Sequence, residues 1–102
     1  MSERAEGKET EIQDITSLDA YSLIGLFIGL LSAKAWETMG LRVKSGTDRV
    51  EKDFDQARTA IDTIDFLVQK LKSRIQDEEI SRLESLVGDL KLNFVRLSQP
   101  TS

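Results

Sequence analysis

The chain contains no histidine and no cysteine. Without histidine, the commonest general base and the commonest metal ligand are both missing. Serine–histidine and cysteine–histidine catalysis are excluded, and so are di-iron bundle sites, which need Glu-x-x-His pairs. Without cysteine there is no disulfide framework and no thiolate metal site, which fits a reducing cytoplasm. A single proline, a single tryptophan and a single tyrosine are present. No apolar run is long enough to span a bilayer. The uncharged stretch from Ala20 to Ala33 is bounded by Asp19 and Lys34, whereas a spanning helix needs about 20 apolar residues. No basic segment followed by an apolar one opens the chain, so secretion is not expected. Neither a membrane role nor a cofactor is expected.

With 102 residues there is room for one domain. A core of that size is marginal, and oligomerisation is a common source of extra stability. The net charge is −4 and the pI is near 4.8. Proteins that wrap nucleic acid carry a basic face, so the overall balance argues against that role and leaves only a local patch.

The chain opens with a polar, mostly acidic stretch without period. Residues 1–15 read as a disordered tail and residues 98–102 as another, with one helical domain over 16–97. Thr16 and Asp19 form a capping-box pattern ahead of a first helix from about Leu18 to Met39. Gly40 sits where a left-handed C′ residue is wanted. A connector follows, with turn chemistry at Ser45-Gly46-Thr47-Asp48. Leu41, Val43 and Val50 could flank it as a minimal hairpin.

The clearest signal lies beyond the connector. Phe54, Ala57, Ile61, Ile64, Val68, Leu71 and Ile75 step alternately by three and four, an unbroken heptad row. Asp53 and Gln56 form a capping pattern before it. A second row follows at Ile80, Leu83, Val87, Leu90, Phe94 and Leu97. Between Ile75 and Ile80 the step is five. Two readings compete there: one long helix from Phe54 to Leu97, or a tight antiparallel hairpin of two helices. Lys70, Lys72 and Arg74 before the break, and Asp77, Glu78 and Glu79 after it, suit the ends of two helix dipoles and favour the hairpin, with Asp77 as N-cap. The same charges could pair along a continuous helix, Arg74 with Glu78 for example.

The first helix is different. Leu23, Ile24, Leu26, Phe27, Ile28, Leu30 and Leu31 point all round it. A helix apolar on every side is covered on every side. Two further helices with narrow rows cannot do that, so a second copy of the chain is the simplest cover. Gly25 and Gly29, with Ala33 extending the small-residue row, would allow close backbone approach. The expected self-association surface is Leu23, Gly25, Leu26, Phe27, Gly29, Leu30, Ala33 and Trp36.

Other candidates are weaker. Asp62 and Asp65, with Arg58, resemble a paired-carboxylate site, but their heptad positions point to a solvated face with local ion pairs. Arg42, Lys44 and Arg49 make the connector locally basic. A phosphate or nucleic-acid contact would want interleaved aromatics or a glycine-rich cradle, and neither is there. Tyr21 and Trp36 read as core or interface packing. Leu86, Leu92 and Val95 widen the apolar face of the third helix towards its C-terminus.

Three segments carry a resemblance to a known family: "LLSAKAWETMG" from Leu30 to Gly40; "DFDQARTAID" from Asp53, with Gln56, Ala57, Arg58, Ile61 and Asp62; and "DEEISRLESLVGDLKLNF", with Asp89, Leu90 and Phe94. Over about Leu23 to Leu97 the chain resembles the small bacterial proteins of the domain of unknown function 1844 family. The departures are Lys91 in place of arginine, Gly88 in place of an aromatic, and a differently built connector before Asp53. The resemblance implies three helices with a break near Asp77, and it transfers no activity, because the family has none assigned.

The expected protein is therefore all-α and non-enzymatic. An antiparallel hairpin of the second and third helices packs on a strongly apolar first helix and is completed by oligomerisation, a dimer being favoured. Its expected role is interaction or assembly, with an unidentified protein partner in addition to itself. The alternative is a nucleic-acid- or ribosome-associated factor using the connector 42–52.

Overall fold

The computed structural model describes residues 15–99. The expected disordered ends fall largely on residues 1–14 and 100–102, outside the described residues. Beyond a helical turn at residues 15–17, the described residues form three helices: α1 (Ala20–Thr38), α2 (Phe54–Leu71) and α3 (Asp77–Ser98). No strand occurs among the described residues.

The start of α1 corrects one expectation. The N-cap is Asp19, whose Oδ1 accepts the Ser22 N–H at 2.8 Å. Its extended ψ of 169° ends the separate helical turn at residues 15–17, so capping does not fall to Thr16. At the other end the expectation holds. Gly40 has φ +85°, the Leu41 N–H bonds the Trp36 carbonyl and the Gly40 N–H bonds the Glu37 carbonyl, both at 3.0 Å. That is the two-bond left-handed stop of a helix. A Cβ on Gly40 would also lie 2.8 Å from Lys52 Cγ.

Asp53 caps α2 by accepting the Gln56 N–H at 3.1 Å, and Gln56 Nε2 donates to its other carboxylate oxygen at 2.9 Å. The Asp53 N–H, which a capping-box side chain would otherwise satisfy, donates to the Thr38 carbonyl at 2.7 Å. That bond ties the end of α1 to the start of α2. An isolated antiparallel bridge between Met39 and Lys52 closes the same base. The connector is thus a clamped loop and not a two-stranded ribbon. Of the suggested hairpin only the Lys44 N–H to Arg49 carbonyl bond forms, at 2.8 Å.

The five-residue step marks a chain reversal. Lys72 leaves the helix at ψ 136°, Ser73 takes φ +67°, and the Arg74 N–H bonds the Leu71 carbonyl at 2.9 Å. Two expected bounds shift as a result. α2 ends at Leu71, not Ile75, because the reversal uses the intervening residues. The N-cap of α3 is Gln76, with no side-chain bond, which places Asp77, Glu78 and Glu79 in the first turn. There their charges favour the positive end of the helix dipole. The hairpin is antiparallel. Phe54, at the start of α2, meets Phe94, near the end of α3, edge to face at 5.9 Å. Lys72 pairs with Glu84 at 3.0 Å and Asp65 with Lys91 at 2.7 Å.

α2 is the central element, packing against α1 on one side and α3 on the other, while α1 and α3 barely touch. The core is Ile28, Ala35 and Met39 from α1, the whole row from Ala57 to Leu71 of α2, and Ile80, Val87 and Leu90 from α3. Leu90 and Ile64 are fully buried, and truncating either to alanine costs about 2–5 kcal/mol.

Candidate functional site

In α1, Ile24, Ile28, Leu31, Ala35 and Met39 lie in or against the core. Buried Ser32 satisfies its hydroxyl within its own helix, donating to the Ile28 carbonyl at 2.6 Å. Helical spacing puts a second row on the opposite side: Leu23, Leu26, Leu30 and Ala33, stepping three, four, three. Leu30 is 60% exposed and Phe27, beside that row, 48%. Leu23, Leu26 and Ala33 are partly exposed, and Gly29 is exposed.

Of the eight residues expected on the self-association surface, six therefore lie on this outward side. Trp36 packs against its own core. Gly25 lines a cleft of about 540 Å³ with Asp19, Tyr21, Arg74 and Arg82, between the start of α1 and the α2–α3 reversal. A Cβ added at Gly25 or Gly29 would meet nothing within 4 Å, so the fold of one chain makes no use of either glycine's small size. Each costs the helix about 1 kcal/mol relative to alanine.

The outward side ends at Glu37, a feature the sequence did not announce. Its side chain is only 8% exposed. Its carboxylate accepts the Ser45 N–H at 3.1 Å, the Ser45 hydroxyl at 3.0 Å and Lys34 Nζ at 3.2 Å. The Ser45 N–H first, then Lys34 and the Ser45 hydroxyl, hold the Glu37 carboxyl below the ordinary glutamate range. These bonds fold the connector back onto the end of α1. Only the fold brings residues 37 and 45 together, so no local pattern could have revealed the contact.

On the connector, Lys44 reaches Glu51 at 3.5 Å. Among the described residues Arg42 and Arg49 make no ion pair. Leu41, Val43 and Val50 are all about half exposed. The candidate carboxylate pair resolves into surface electrostatics across the hairpin. Asp65 accepts Lys91 Nζ at 2.7 Å and Gln69 Nε2 at 3.4 Å, and Lys91 above all lowers its pKa. The pairing runs between helices and not along α2. No group of three or more carboxylates among the described residues is placed to hold a metal, and no helix among them is long and apolar enough to cross a membrane. Further exposed apolar side chains are Phe66, under the Lys70 ammonium at 5.2 Å, and Leu92 and Val95 on α3, where α1 does not dock.

No curated protein and no solved structure matches the chain. The model of one family, described as a domain of unknown function, matches residues 21–96, which takes in all of α2, nearly all of α1 and α3, and the connector. With that match spanning most of the chain, the protein belongs to the DUF1844 family.

Proposed function

We propose that this is a small helical assembly protein that associates with itself through the outward side of α1, and that it acts in the cytoplasm as an interaction module and not as an enzyme. The observation that carries the reading is the second apolar row of α1, with Leu30 60% exposed at its centre. Monomeric proteins expose single apolar residues freely, but contiguous apolar patches mark interaction sites. The unused glycines support the same reading, since Gly29 lies where a second backbone could approach. Sedimentation velocity across the micromolar range tests it. A dimer that dissociates on dilution is the expected result, and a folded monomer throughout would overturn it.

A second reading has one observation in its favour. Among the described residues Arg42 and Arg49 make no ion pair, and they lie beside three exposed aliphatic side chains on a loop held in place from both ends. That surface suits an anionic polymer such as RNA, contacted through its phosphates. Binding to RNA should then weaken steeply with salt and disappear when Arg42, Lys44 and Arg49 are neutralised. Absence of binding at low salt removes this reading.

A further inference from the structure

We infer that α1 meets a second copy of itself antiparallel, across a two-fold axis at the level of Ile28. This rests on the self-association reading above and adds the orientation and register of the partner.

A two-fold axis normal to both helices brings together positions equally far from Ile28 on either side. Along the outward row, Leu23 then faces Ala33 of the second copy and Leu26 faces Leu30. Every layer that holds an alanine also holds a leucine, so volume is even along the seam. Phe27 and Gly29 lie on opposite flanks of the row. Under this symmetry each meets its own mate close to the axis. The two rings fill one flank, and the two glycines let the backbones close on the other. Ile28 is one residue from the midpoint of Ala20–Thr38, so the two helices overlap along nearly their full length.

A parallel pair packs less well. It would stack leucine on leucine at one level and alanine on alanine at another, leaving a gap at Ala33. The antiparallel arrangement also opposes the two helix dipoles.

The absence of native cysteine makes the test direct. Leu23→Cys and Ala33→Cys are each prepared in the full chain, oxidised alone and as an equimolar mixture, and checked for folding by circular dichroism. In the antiparallel pair two copies of either position lie about 15 Å apart along the helix axis, past the Cα separation of about 7 Å that a disulfide tolerates. The expected result is no covalent dimer from either variant alone and a cross-linked heterodimer from the mixture. Cross-linking of each variant with itself overturns the orientation while leaving self-association standing. A dimer by sedimentation that cross-links in no combination overturns the register. A folded monomer overturns the underlying reading. Should Leu23→Cys fail to fold, a spin label on the exposed Lys34→Cys decides. The antiparallel pair separates the labels by at least about 18 Å, and a parallel pair leaves them at roughly the 10 Å interhelical spacing.

Discussion

Replacing Leu30 with lysine separates the needs of the fold from the needs of the assembly. Leu30 is 60% exposed in the single chain. Its substitution should change monomer stability by less than about 0.5 kcal/mol, as for surface positions in general, because the lysine stem covers the same neighbours. The dimer responds differently. Burying a leucine completely is worth about 2 kcal/mol. The 60% still exposed then accounts for about 1.2 kcal/mol on each copy. In a symmetric interface every substitution acts twice, giving about 2.4 kcal/mol per dimer. That corresponds to a roughly 50-fold rise in Kd, and two ammonium groups at the centre of the seam add to it. Sedimentation velocity on a dilution series reads the Kd, and thermal unfolding at fixed concentration reads the fold. A Kd within twofold of the native protein's, with folding intact, refutes the assignment of α1 as the interface. A thermal midpoint many degrees lower at concentrations where both proteins are monomeric refutes the placement of Leu30 on the outside.

Gly88 faces open space in the middle of α3, so Gly88→Ala should stabilise the protein by about 1 kcal/mol, seen as a higher denaturant midpoint at unchanged m. Ser73 holds φ +67° in the reversal. Ser73→Gly should release part of the roughly 1–2 kcal/mol that a left-handed L-residue costs, less the added chain entropy of glycine, and any loss of stability would contradict the geometry. Asp53→Ala removes the cap of α2 and should cost about 1 kcal/mol in urea unfolding. The Glu37 carboxyl is depressed on folding by Ser45 and Lys34. Its contribution is therefore fully present above its unfolded value of about 4.3 and is lost as pH falls through the lower folded value. Glu37→Gln should lower stability at neutral pH and flatten the decline below about pH 4; an unchanged acid limb would count against the clamp.

The architecture was legible because most of it is periodic. The row from Phe54 to Leu71 and the row from Ile80 to Leu97 each needed only step counting, and every member is buried or half-buried. The reversal was legible as a missed step and as a change of charge sign from Lys70, Lys72 and Arg74 to Asp77, Glu78 and Glu79, although no glycine or proline marks it. Ser73 accepts a conformation that costs most residues energy, so its identity gave no sign of where the chain bends. The contacts that shape the connector were not legible. Glu37 with Ser45, and Asp53 with the Thr38 carbonyl, join residues that come close only after Gly40 has turned the chain. Of the expected self-association surface, the structure places six residues on the outward side of α1. All-round apolarity does not say which residues of α1 its own chain covers. The structure assigns Trp36 to the core and Gly25 to a cleft, and leaves a narrower row outside.

The two surfaces left for a partner are mechanically connected. The outward row of α1 ends at Glu37, and the Glu37 carboxylate anchors the connector through Ser45. A helix laid antiparallel along that row extends past Ala33 to the Lys34–Glu37–Ser45 contact and so lies against the loop that carries Arg42 and Arg49. Any partner that draws the Glu37 carboxylate away from Ser45 loosens the loop, and any ligand that reorders the loop alters the end of the seam. By linkage, whatever free energy the loop gains from a bound dimer, the dimer gains from a bound loop ligand. On the two proposed readings, self-association and an anionic ligand on the connector would be coupled through the one stretch of chain from Leu23 to Lys52.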